Sequence, residues 1–229
     1  MAAEYGATAR RLGIGSASLV AALLLAYAIT LAAGFASLES RDEPIGDPYF
    51  TLLEVLILLM MPAMVLLMVA VHSWAPARRK ALSLAAAIFM AIAAALTCTV
   101  HFAILTLSRQ AEFAAHESLP LLLSFEWPSL AYAIDILAWD VFFALSMLCS
   151  AGVFTGSRLA LSIRTAMLVS GLLALAGLSG VIAGDMALRN IGIAGYVGAF
   201  FIVVLLLGAL FYRSVPVTAE DTGRPGAEA

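Results

Sequence analysis

Six long apolar stretches, near 13–36, 50–73, 81–107, 129–153, 161–184 and 191–212, occupy most of this chain of 229 residues. Each exceeds the roughly 18 apolar residues needed to cross about 30 Å of hydrocarbon as a helix. A soluble core accounts for one such run, not for six in succession. With 63% of residues hydrophobic and 12% charged, the chain carries about half the charged share of roughly 25% found in soluble domains. It reads as an integral membrane protein.

The runs are continuous and lack the alternation of lipid-facing and lumen-facing residues that marks a barrel strand. In lipid each backbone N–H and C=O must then be satisfied inside its own segment, which leaves the helix. The expected fold is all-α and polytopic: one domain, 1–213, with six transmembrane helices. A polar cytoplasmic tail, 214–229, "SVPVTAEDTGRPGAEA", has the composition of a disordered segment.

Basic residues set the orientation. Arg10 and Arg11 precede the first run, Arg78, Arg79 and Lys80 join the second to the third, Arg158 and Arg164 fall between the fourth and fifth, and Arg213 follows the sixth. The opposite connections, "SLESRDEPIGDPY" and "SRQAEFAAHESLPLLLSFEWP", are acidic with one arginine each, Arg41 and Arg109. By the positive-inside rule both termini are cytoplasmic, and the expected location is a bacterial-type inner membrane. Gly34 and Ala36 resemble a signal-peptidase site, but the first run is longer than the usual apolar core of about 7–15 residues and is read as a retained helix.

Ionisable residues inside such runs are the informative ones. At about 1.5 Å of rise per residue, Glu54 and His101 lie about one turn in from the outer face, Asp135 about 9 Å in and Asp140 about 16 Å in, near the midplane. Arg189 sits in the outer turn between the fifth and sixth runs, four residues after Asp185, a spacing that suits a local ion pair. A carboxylate at the centre of a helix costs roughly 2.5–3.5 kcal/mol on insertion scales, so it is neutral, paired or beside a wet cavity. Asp135 and Asp140, five apart, fall about 140° apart around a regular helix and are expected to face different partners. Pro62, at the depth of Asp140, is expected to distort its helix and to help form a cavity floor. Phe125 and Trp127 read as an outer aromatic belt, and His72 with Trp74 as the inner interface. Gly180, Gly184, Gly192, Gly195 and Gly198 suggest close packing of the last two helices. Cys98 and Cys149 fall at different depths, too far apart for a disulfide.

Several classes drop out. The one lysine, Lys80, lies in a loop, so no retinal Schiff base is available. His72 and His101 would stand about 25–30 Å apart, too far to share a haem. No metalloprotease, serine-hydrolase, redox-cysteine or phosphate-loop motif occurs. The short basic loops are explained by topology and imply no nucleic-acid partner. Glu54, His101 and an aspartate could chemically hold a divalent ion, but no spacing demands it, and no metal or cofactor is assigned.

The leading expectation is a polar cavity in the outer half of the membrane, lined by Glu54, His101, Asp135 and Asp140 with Arg189 at its mouth. There a small solute or proton would be bound or transported, with Asp140 taking up and releasing the proton. One alternative is an intramembrane enzyme, metal-dependent or not, acting on a lipid or isoprenoid with His101 as base or ligand. Another is a non-catalytic subunit paired with membrane partners, or a homo-oligomer.

Overall fold

In the computed structural model, residues 6–40 and 45–214 are described. Arg41 and the expected tail beyond Ser214 lie outside the described residues. Among the described residues the chain forms six helices long and apolar enough to cross a membrane: α1 Ala7–Ala36, α2 Tyr49–Trp74, α3 Ala77–Arg109, α4 Leu130–Ala151, α5 Arg158–Ala183 and α6 Met186–Arg213. Five of the six run further at their first residue than hydropathy alone marked, because polar and capping residues extend a helix beyond its apolar stretch.

Local signals start and stop these helices. The Ser129 hydroxyl accepts from the Tyr132 N–H at 3.1 Å and opens α4, and Ser157 does the same for Ala160 at 3.1 Å in α5. Gly184, left-handed at φ 70°, ends α5, and the next residue, Asp185, caps α6 by accepting from the Ala187 N–H at 2.9 Å. The α5–α6 connection is therefore two residues long, which fixes Arg189 one turn into α6.

The helices pack in chain order into a closed ring, α1 on α2, α2 on α3 and so on to α6, with α1 returning to α6. That last contact involves the Phe200–Arg213 half of α6. There Arg10 donates to the carbonyls of Phe211 and Tyr212 at 3.2 and 2.8 Å, so the start of α1 and the end of α6 lie at one face of the bundle. The ring is filled by flexible methionines, with Met61, Met64, Met68, Met90, Met147 and Met167 fully buried. Helix α2 passes through Pro62 without ending.

Of the five glycines expected to set the α5–α6 spacing, Gly180, Gly192 and Gly195 do so, whereas a Cβ on Gly184 or Gly198 would meet nothing within 4 Å. A Cβ on Gly195 would stand 2.7 Å from both the Ala174 N and the Ser170 O, and the Ser170 hydroxyl donates to the Gly195 carbonyl at 2.9 Å. The two thiols, Cys98 and Cys149, are free.

At the face bearing the start of α1 and the end of α6, Trp74 stacks on Phe154 with ring centroids 5.3 Å apart, and His72 Nδ1 is 2.9 Å from the Ser83 hydroxyl. Lys80 Nζ donates to the His72 carbonyl. The expected interfacial pair is thus tied into the α2–α3 turn.

Candidate functional site

The end of the bundle away from that face holds a cavity of about 760 Å³ among α1, α2, α3, α4 and α6. Glu54, His101, Asp135 and Arg189 all contribute to its wall, and each is at least 92% buried, with exposures of 3, 4, 8 and 5%. Four helices thus bring their ionisable residues to one place.

His101 is the hinge of the cluster. Its Nδ1 lies 2.9 Å from Glu54 Oε2, and its Nε2 lies 3.4 Å from Asp135 Oδ1. A carboxylate oxygen accepts and does not donate, so an imidazole facing two carboxylates can donate to both only when each ring nitrogen carries a proton. In that form the three residues carry one net negative charge. Phe125 covers the imidazole, ring centroids 4.7 Å apart. Phe125 was expected in the outer aromatic belt; it turns inward instead, while Trp127 stays 41% exposed.

Arg189 joins this triad to Asp140. Its Nη2 is 3.6 Å from Asp135 Oδ2 and its Nε 3.4 Å from Asp140 Oδ2, while Nη1 donates to the Tyr132 hydroxyl at 3.0 Å. The guanidinium carbon also stands 4.6 Å from the centre of the Tyr132 ring, within cation–π range. The expectation for Arg189 is corrected here: it does not pair with Asp185, which is occupied as the α6 cap, and it lies buried within the cluster, 5% exposed, rather than at the mouth. The residues that hold it come from α4, which sequence spacing alone could not bring together with α6.

The second correction concerns the two aspartates. Residues Leu137–Phe143 of α4 wind as a π-helix. Asp135 precedes this segment and Asp140 lies within it; the wider i→i+5 turn between them brings the two closer to one face than a regular helix would, and both reach the same guanidinium. A second π segment, Ala194–Ala199, interrupts α6. Trp139 and Tyr196, one from each segment, meet with ring centroids 5.0 Å apart and wall the cavity.

Asp140 itself does not line the cavity. It lies behind Arg189, 0% exposed, against glycines of α5 and α6: a Cβ on Gly192 would stand 2.7 Å from Asp140 Oδ1, and one on Gly177 3.1 Å. The expected cavity floor at Pro62 is formed instead by side chains that include Met60 and Ile57. Neither Asp140 oxygen has a hydrogen-bond partner among the described residues, and the same holds for Asp135 Oδ1.

No protein-family model, curated protein or solved structure matches this chain. The site is therefore interpreted from its own geometry. Among the described residues no three His, Cys, Asp or Glu side chains are grouped as the ligands of a metal ion. Tyr132 and Gly177 were not singled out from sequence, and Gly192 was singled out only as a packing glycine. The signals were there: Tyr132 is three residues before Asp135 and so on its face, and Gly192 is three after Arg189.

Proposed function

We propose that this is a multi-pass inner-membrane protein, with both termini cytoplasmic, that binds a small solute in the outer half of the membrane and couples its occupancy to one proton. The orientation is supported by Arg10, Arg78, Arg79, Lys80, Arg158 and Arg213, which mark the end of the bundle away from the cavity.

One observation carries the proton reading. Glu54, Asp135 and Asp140 supply three carboxylates, against which an imidazolium at His101 and the guanidinium of Arg189 set two positive charges. One negative charge is left over in a buried cluster beside a cavity. Uncompensated buried charge is costly in lipid, so the cluster gains by taking one more proton or one external cation. Asp140, buried and without a hydrogen bond, is the carboxyl where that proton is best placed.

Infrared difference spectroscopy of the protein in nanodiscs, stepped in pH, tests this. The expected result is a protonated-carboxyl band that appears and disappears with pH in the wild type and is missing in Asp140→Asn, with circular dichroism unchanged. If every carboxyl keeps one protonation state over the whole range in which the protein stays folded, the cluster is a fixed ion-pair network and the coupling is abandoned.

A further inference from the structure

The cavity has two kinds of lining. Glu54, His101, Asp135 and Arg189 are ionisable, whereas α1 contributes Leu24 and Leu31 and α6 contributes Ile193 and Val197. A ligand that fills it must therefore be apolar over most of its surface and polar at one end.

The sign of the polar end follows from the atoms available. The charge of the Arg189 guanidinium is already countered by Asp135 and Asp140, and on the count above the cluster as a whole keeps one negative charge. Asp135 Oδ1, on a cavity-lining residue, lies 3.4 Å from His101 Nε2 without completing a hydrogen bond to it, so it can also accept from a ligand. Glu126 adds a further carboxyl at the exposed rim. The aromatic side chains of Tyr27, Phe50 and Trp139 line the same space, and aromatic rings attract cations.

Resting on the proton-coupled reading above, we propose that the solute is an amphiphilic monocation. Its charged end takes the place beside Asp135 and its apolar body lies between α1 and α6. It supplies the positive charge that the cluster otherwise obtains from a proton, so binding and protonation exclude one another. The titratable and charged groups facing that position are Glu54 of α2, His101 of α3, Arg189 and Tyr196 of α6, Tyr27 of α1 and Tyr132 of α4.

Octylammonium and octanoate, alike in length and opposite in the charge at one end, separate sign from hydrophobicity. Titration calorimetry of the full chain in detergent, repeated in two buffers of different ionisation enthalpy, counts the protons released. Expected are saturable binding of the ammonium with release of about one proton, and no competition from the carboxylate. Asp135→Asn should weaken ammonium binding by about tenfold or more and abolish the proton release. Should that variant misfold, Leu31→Trp, which fills the apolar wall, should weaken binding with proton release per bound cation unchanged. Equal or tighter binding of the octanoate, or ammonium binding with no proton released, overturns the proposal. If the infrared titration shows a proton-exchanging carboxyl but the ammonium does not bind, the substrate class is wrong and the proton reading stands. If neither is seen, both fall together.

Discussion

Arg189 Nε stands 3.4 Å from Asp140 Oδ2, and the two side chains are 6% and 0% exposed. The contact crosses from α6 to α4 and depends on a π-helical segment in one and a two-residue turn before the other. Truncating one partner of a buried pair costs more than the pair is worth, because a charge is left behind. Arg189→Gln is expected to cost about 3–5 kcal/mol of stability. Arg189→Gln with Asp140→Asn should cost less than the sum of the two single changes, by roughly 0.5–3 kcal/mol. A double-mutant cycle of unfolding in mixed micelles measures both.

Gly195 and Gly198 lie on the same helix and make opposite predictions. A Cβ at Gly195 would press on the backbone atoms Ala174 N and Ser170 O, which cannot give way, whereas nothing lies within 4 Å of one at Gly198. Gly195→Ala should destabilise by about 1–3 kcal/mol. Gly198→Ala should be neutral or stabilising by up to about 1 kcal/mol, since alanine favours the helix. Thermal unfolding of the two variants side by side decides.

Asp47, outside the membrane segments, gives a pH prediction. The Thr51 hydroxyl donates to its Oδ1 at 2.5 Å, the Thr51 N–H adds a bond at 3.1 Å, and Arg109 Nη2 approaches Oδ2 at 3.2 Å. The hydroxyl first, with the amide and guanidinium, holds this carboxyl below its usual value of 3.8. A lowered acid stabilises the fold above the ordinary carboxylate range and loses that contribution as pH falls through its own lowered value. Thr51→Val should return the titration of Asp47 toward 3.8, read by carbon NMR of labelled aspartate.

Orientation is checked by thiol labelling. In a Cys98→Ala, Cys149→Ala background, a cysteine replacing exposed Ala115 should react with a membrane-impermeant maleimide in intact cells. One replacing exposed Ala77 should react only after lysis. The reverse pattern would place the cavity in the cytoplasmic half.

Much of the architecture was legible before any coordinates. Apolar length gave the number of helices, and the depth of Glu54, His101 and Asp135 placed them at one level, where His101 does lie between the two carboxyls. Arg189 and Phe125 were misread because local rules favoured the near neighbour. An i,i+4 spacing suggested Asp185, and a flanking position suggested the aromatic belt.

What the sequence by itself determined is what one helix at a time can express: span lengths, the grouping of basic residues at one end, and how far each acid lies along its helix. Rotation about each helix axis, and who faces whom, belong to the packing. The π register of Leu137–Phe143 turns Asp140 toward Arg189, and Gly177 and Gly192 let it fit there. Hydropathy is summed along a segment and carries no information on azimuth, whereas charge pairing depends on azimuth to within a few ångströms. Only the assembled bundle could join five residues from four helices into one site.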